Sequence, residues 1–213
     1  VDLQTPAGER LLTRQDLIPW QDHPRPQMRR DRWLNLNGMW DFAVSPKEPE
    51  EYDRQIRVPF CPESKLSGIG EHYAEGTPLW YKRRFIRPEA FFCGRVILHI
   101  GAADQITDVF VNGSHAGRHV GGYEAMSFDI TPYLREENEL VIRVTDDLWD
   151  KVQPYGKQVL KRGGMWYTPV SGIWQTVWLE SVPETYIHKL NIENRGASVT
   201  ISTEPVLDGK VTV

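Results

Sequence analysis

The chain has 213 residues, of which 40% are hydrophobic and 25% charged, with a formal net charge of −4. That length can bury a full hydrophobic core, and the composition is that of an ordinary globular protein. The mildly acidic balance offers no field for a nucleic-acid backbone, and no apolar run reaches the roughly 18 residues that suggest a membrane-spanning helix.

The first stretch, VDLQTPAGER, lacks the basic-then-apolar pattern of a leader. TRQDLIPW allows a turn or two of helix. The basic run MRRDRW reads as solvated charge, and YKRRF as charge alternating along a strand. From LNGMWDFAV onward the dominant signal is period-2 alternation over short stretches. Trp40, Phe42 and Val44 share one face there, with Asp41 and Ala43 on the other. WYKRRF reads as a strand with Trp80 and Tyr81 in the core. RPEAFF allows another helical turn. In CGRVILHIG, Val96, Leu98 and Ile100 share a face, and His99 sits on the partly covered one. In TDVFVNGSHAGRHV, Val109 and Val111 lead into Asn112-Gly113, a hairpin turn signal because both residues tolerate positive φ. His115 and His119 follow that turn and read as unrelated exposed side chains. Phe128 and Ile130 mark the next strand, and Leu140, Ile142 and Val144 the one after, with Arg143 and Thr145 opposite. Finally, Ile173, Gln175, Val177 and Leu179 form one face of a strand whose other face carries Trp174, Thr176 and Trp178. Large groups on both faces predict a strand covered on both sides.

Strands at regular spacing without intervening helices predict an all-β sandwich or barrel. The intervals from Ser45 to Pro78 and from Asp146 to Pro169 are too long for simple hairpins and are expected to emerge as functional loops at the sandwich end. A boundary falls near Pro183. Residues 1–182 form one domain, and 183–213, with fresh alternation at Ile187, Leu190, Ile192, Val199 and Ile201, hold too few strands for a second complete one.

Chemistry is sparse. Cys61 and Cys93 are the only cysteines, lack zinc spacing and read as unpaired thiols. No metal or other cofactor is expected. PVSGIW lacks the first glycine of a nucleophile elbow, and neither GGYE nor GIGEH opens a phosphate-binding helix. Glu63, Glu71, Glu75, Asp146, Asp147 and Asp150 fall in or near the long loops, but no spacing selects an acid/base pair, so each reads as a solvated loop acid. The loop aromatics are more informative. A flat ring with a polar edge suits the apolar face of a sugar. Tyr73, Trp149, Tyr155, Trp166 and Tyr167 are such rings, with Gln153, Lys157, Gln158, Arg162 and Thr168 as polar neighbours. For Trp149, Trp166 and Tyr167, covering the core and facing a ligand are both open.

NLNGMWDF, VPFCPES, WYKRRF, HIGAADQITDVFVNGSHAGRHVGGYEAMSFDITPYL, NELVIRVTDD and SGIWQTVWLE stand in the order found in the N-terminal domain of family 2 glycoside hydrolases. The chain resembles that family from about Trp33 to Glu180. The resemblance implies a galactose-binding-domain-like jelly-roll β-sandwich, followed by the start of an immunoglobulin-like β-sandwich at 183–213. In such β-galactosidases, β-glucuronidases and β-mannosidases, a (β/α)₈ barrel carries both catalytic glutamates. A barrel needs roughly 250 residues of alternating strand and helix, so no catalytic residue is expected in this chain. In several relatives a loop of the first domain reaches the sugar, often with an acidic side chain. The matching segment here, between Asp146 and Ser171, has no acid after Asp150, and Lys157, Gln158, Trp166 and Tyr167 are the candidate carbohydrate contacts.

Three roles follow. The chain is the non-catalytic domain of a larger β-glycosidase, whose partners are a carbohydrate and further domains of the same chain. Alternatively it is a self-sufficient carbohydrate-binding module, or a purely structural domain-packing module.

Overall fold

The computed structural model describes residues 5–92, 94–147, 152–161 and 163–205. Cys93, Trp149, Asp150 and Arg162 lie outside the described residues. The strands in chain order are β1 (Trp33–Asn35), β2 (Gly38–Val44), β3 (Arg54–Val58), β4 (Leu79–Ile86), β5 (Arg95–Ile100), β6 (Ala103–Asp104) and β7 (Ile106–Val111). They continue with β8 (Ser114–Val120), β9 (Met126–Asp129), β10 (Glu137–Thr145), β11 (Gly172–Ile173), β12 (Val177–Val182), β13 (Ile187–Arg195) and β14 (Ser198–Pro205).

The alternation resolves into two antiparallel sheets packed face to face, a jelly-roll sandwich. One has the order β3-β2-β4-β10-β7-β8 and the other β1-β12-β5-β9. Trp40 and Phe42 of β2, Tyr81 of β4, Leu140, Ile142 and Val144 of β10 meet Val96, Leu98 and Ile100 of β5 and Leu179 of β12 in one core. Each such side chain contributes about 1.5–3 kcal/mol by leaving water. The Trp40 indole N–H donates to Leu36 O at 2.8 Å, so its polar atom is not stranded in that core. Trp80, on the opposite face of β4 from Tyr81, is also buried and stacks on Phe110 outside the six-stranded sheet.

The Asn112-Gly113 turn joins β7 to β8, with φ of 52° and 80°. Asn112 is fixed by its own side chain, which accepts from Glu139 N–H and donates to Tyr133 O. A Cβ on Gly113 would meet nothing within 4 Å, so substitution there is a purely conformational cost. Gly113→Ala is expected to lower stability by about 1 kcal/mol, read from urea denaturation.

Several expectations need correction. The helix is α1 (Pro6–Thr13), upstream of TRQDLIPW, because Thr5 accepts from Gly8 N–H and Pro6 stands at the first helical position. RPEAFF does hold a short 3₁₀ turn, Glu89–Phe91. The Ser45–Pro78 interval is not one loop, since β3 pairs with β2 inside it. The continuous strand expected over Ile173–Leu179 is broken into β11 and β12, because the Trp174 and Gln175 amides both turn to Ala102 O. Both faces of β12 are buried, as its pattern requires. His119 is not simply exposed: its Nε2 is buried, while His115 Nε2 lies 3.2 Å from Asp108 Oδ1.

Residues 19–30 cross the outer face of the four-stranded sheet. They are held there by Asn35 and Asn37, which donate to Trp20 O and Pro19 O, and by an ion cluster around Glu180. Glu180 Oε1 accepts from Arg25 at 2.8 Å and lies 2.9 Å from His99 Nε2, and Oε2 accepts from Arg30 at 2.7 Å. After β12, β13 and β14 form a hairpin that pairs with no other strand among the described residues.

Candidate functional site

At the end of β10 the chain enters the 146–171 loop, and Gln158 ties that loop to the sandwich. Its amide nitrogen donates to Asp104 Oδ2 and to the Tyr123 hydroxyl, each at 3.1 Å, while its oxygen accepts from Val170 N–H. The side chain is thus consumed internally, and the residue is only 6% exposed. Gly156 makes the approach possible, since a Cβ there would overlap the Tyr123 hydroxyl.

The backbone then lays two limbs side by side. Tyr167 N–H donates to Lys157 O at 3.0 Å, and Val159 N–H to Tyr167 O at 3.1 Å. A turn closed by Trp166 N–H on Gly163 O presents the aromatic pair outward. Trp166 is 41% exposed and Tyr167 63%, with Lys157 exposed on the adjoining limb. Of the four candidate contacts, Lys157, Trp166 and Tyr167 therefore share one solvent-facing loop, and Gln158 holds that loop in place.

The floor beneath is acidic, and the expectation of solvated loop acids fails for Glu63, Glu75 and Asp146. Asp146 is 8% exposed and the Glu63 side chain 7%. Glu63 accepts from the hydroxyl and the N–H of Ser171 and meets His72 Nδ1 at 3.4 Å. Glu75 is also mostly covered, whereas Glu71 is exposed and paired with Arg54. Burial, with Asp104 and Glu63 nearby, pushes the Asp146 carboxyl up to about 7. Burial likewise raises Asp104 to about 6, although the Gln158 hydrogen bond opposes it. Asp104, Gly122 and Tyr123 had no distinguishing spacing in the sequence. They join the site because a Cβ on Gly122 would overlap Asp104, so only glycine lets the 121–123 turn close over it. Among the described residues, no three His, Cys, Asp or Glu side chains are grouped to hold a metal ion. Cys61 is a free thiol, and burial pushes it up to about 12, so it is inert at neutral pH.

A two-sheet antiparallel jelly roll with one end loop that presents aromatic rings above buried acids places the chain in the class of ligand-presenting β-sandwich domains. The sugar-binding domain of glycosyl hydrolases family 2 matches residues 69–183, over half of the chain, and the chain belongs to that family. A β-glucuronidase of Formosa agariphila is 28% identical over 204 residues, covering 80% of this chain and 20% of its own length. A β-galactosidase of Thermoanaerobacter pseudethanolicus is 27% identical over 144 residues, covering 62% and 19%. Among solved structures, a β-glucuronidase of Ruminococcus gnavus in complex with a C6-substituted uronic isofagomine superposes with a TM-score of 0.68. It is 19% identical, over 85% of this chain and 35% of that one. The chain spans about a fifth of the length of the curated relatives it matches.

Proposed function

We propose that the chain acts as the non-catalytic sugar-binding domain of a β-glycosidase, with Lys157, Trp166 and Tyr167 touching the glycoside and Gln158 positioning them. The observation that carries this reading is the loop itself, an exposed Trp-Tyr pair whose carriage is fixed by a buried amide. Residues 1–182 are the jelly-roll unit of this reading, and 183–213, whose β13–β14 hairpin pairs with no other strand among the described residues, begin an immunoglobulin-like sandwich. Bond-breaking carboxylates belong to a barrel outside this chain. An ammonium at Lys157 suits a uronic acid, and the name β-glucuronidase on several relatives supports that choice of substrate.

The test is an NMR titration with methyl β-D-glucuronide beside a turnover assay on chromogenic β-glucuronide and β-galactoside. The purified chain is expected to release no chromophore and to show shifts at the Trp166 indole and Tyr167. Trp166→Ala is expected to abolish those shifts while changing stability by less than about 0.5 kcal/mol, as for an exposed residue. Turnover by the chain alone, or a loop that does not respond, would count against the reading. One observation favours domain packing as a second role: Val152, Leu160 and Met165 are also exposed in this loop, an apolar surface of the kind that docks on protein. Concentration-dependent self-association that Met165→Ser reverses is the expected sign of it.

A further inference from the structure

Away from that loop, residues 20–25 and the outer face of the four-stranded sheet enclose a cavity of about 450 Å³. Its floor is Trp178, stacked on His99 with centroids 4.2 Å apart and covered by the Arg25 guanidinium 5.0 Å above its ring. Its rim is Trp20, which is 51% exposed with a φ of 49°. A tryptophan in left-handed backbone is unusual, and it persists here because Asn35 holds its carbonyl and Phe60 packs on its ring at 5.8 Å.

The polar lining divides into two sets. Arg25, His99 and Ser127 are already occupied: Arg25 and His99 meet Glu180, and Ser127 Oγ lies 2.6 Å from His99 Nδ1. The Asp22 carboxylate, the Gln175 side-chain amide and the Trp20 indole N–H make no hydrogen bond among the described residues. A carboxylate, an amide and an aromatic ring held at the mouth of a cavity this size form a complementary set for one pyranose. The ring covers the apolar sugar face, and the polar groups take hydroxyls.

We propose that this cavity is a second carbohydrate-binding pocket, independent of the 146–171 loop, that takes a single neutral pyranoside. Neutrality follows from charge. Glu180 is shared between Arg25 and Arg30, and Asp22 offsets the guanidinium charge left over, so the pocket carries no net charge to hold a uronate, and Asp22, the lining acid at its mouth, repels one.

The experiment is an NMR titration of the same chain with methyl β-D-glucopyranoside and, separately, methyl β-D-glucuronide. The glucopyranoside is expected to shift the Trp20 indole N–H, the Gln175 side-chain amide, Ala125 and Thr176, and the glucuronide to bind there about five-fold more weakly. Trp20→Ala and Gln175→Ala should each weaken the neutral sugar about ten-fold or more, with the response of the Trp166 loop unchanged. Asp22→Asn should close the gap between the two sugars, an effect that a merely structural role would not produce. The proposal is overturned by shifts confined to the 157–167 loop, by no pocket response at high millimolar sugar, or by binding that survives both Trp20→Ala and Gln175→Ala. Failure at Trp166 with success at Trp20 would overturn the loop reading and leave this one standing.

Discussion

Glu180→Ala is expected to destabilise the chain by about 3 kcal/mol, because it leaves the Arg25 and Arg30 guanidinium groups of residues 19–30 without the carboxylate they share. The carboxylate side chain is 1% exposed, and those of its partners Arg25 and Arg30 are 35% and 18% exposed. Burial alone would raise the Glu180 carboxyl, but the hydrogen bonds from His99 and Arg30 outweigh it and hold the group below its ordinary value. Its contribution is therefore present above the unfolded carboxyl value near 4.5 and is lost as pH falls through the lower folded value. The partial exposure of Arg25 places the expected cost at the low end of the range for broken buried pairs. Glu180→Gln keeps the volume and some hydrogen bonds, so a smaller loss is expected. Urea denaturation at neutral pH measures both. A change below about 1 kcal/mol for the alanine variant would mean that residues 19–30 are held by packing alone. The second sugar pocket shares this wall, so Glu180→Ala should also disorder the Trp20 rim, visible as loss of the Trp20 indole resonance from its folded position.

Much of the sandwich was readable because burial on one face forces alternation. Val96, Leu98 and Ile100 announce an inward face whatever they pack against, and Asn112-Gly113 announces a hairpin through its own backbone preferences. Glu180 illustrates what alternation cannot convey. It follows Trp178 on the outer face of β12, a face the pattern predicts to be covered, and only the segment from residue 19 to residue 30, remote in sequence, shows what covers it. The same holds for the loop. The residue types at Trp166 and Tyr167 left core cover and ligand contact both open, and their exposure shows that neither ring is buried in the core. Gln158 was equally suggestive as a hydrogen-bonding group, but its partners Asp104, in β6, and Tyr123, in the 121–123 turn, are distant in sequence and consume it. Glu63 and Asp146 were misread for a related reason. Loop acids are usually solvated, and nothing local shows that Ser171 and His72 will close over these two. Strand interruption at Trp174–Thr176 was hidden because both halves keep the same parity across the break.

Asp146→Asn is expected to stabilise the protein at pH 8 and to leave it nearly unchanged at pH 4. The carboxyl rises from an unfolded value near 3.8 to about 7 in the fold, chiefly through burial and then through Asp104, Glu63, Asp147 and Glu75. Below the unfolded value both states are protonated, and the group imposes no penalty. Between that value and about 7 the unfolded chain gives up its proton while the folded one keeps it, so stability falls as pH rises. Above it the folded protein carries a buried anion among other anions. A shift of that size corresponds to at most about 4 kcal/mol, and partial solvent screening reduces the expected gain for asparagine to about 1–3 kcal/mol at pH 8. Asparagine retains the shape and removes the charge, so the gain should appear as the difference between the two proteins grows with pH. Urea denaturation across pH 4 to 8 reads it, and a difference that stays flat would show that Asp146 ionises freely. Because Asp104 anchors Gln158, relief of this repulsion should also tighten the 152–171 loop, giving slower cleavage there by a non-specific protease at pH 8 and unaltered cleavage at pH 4.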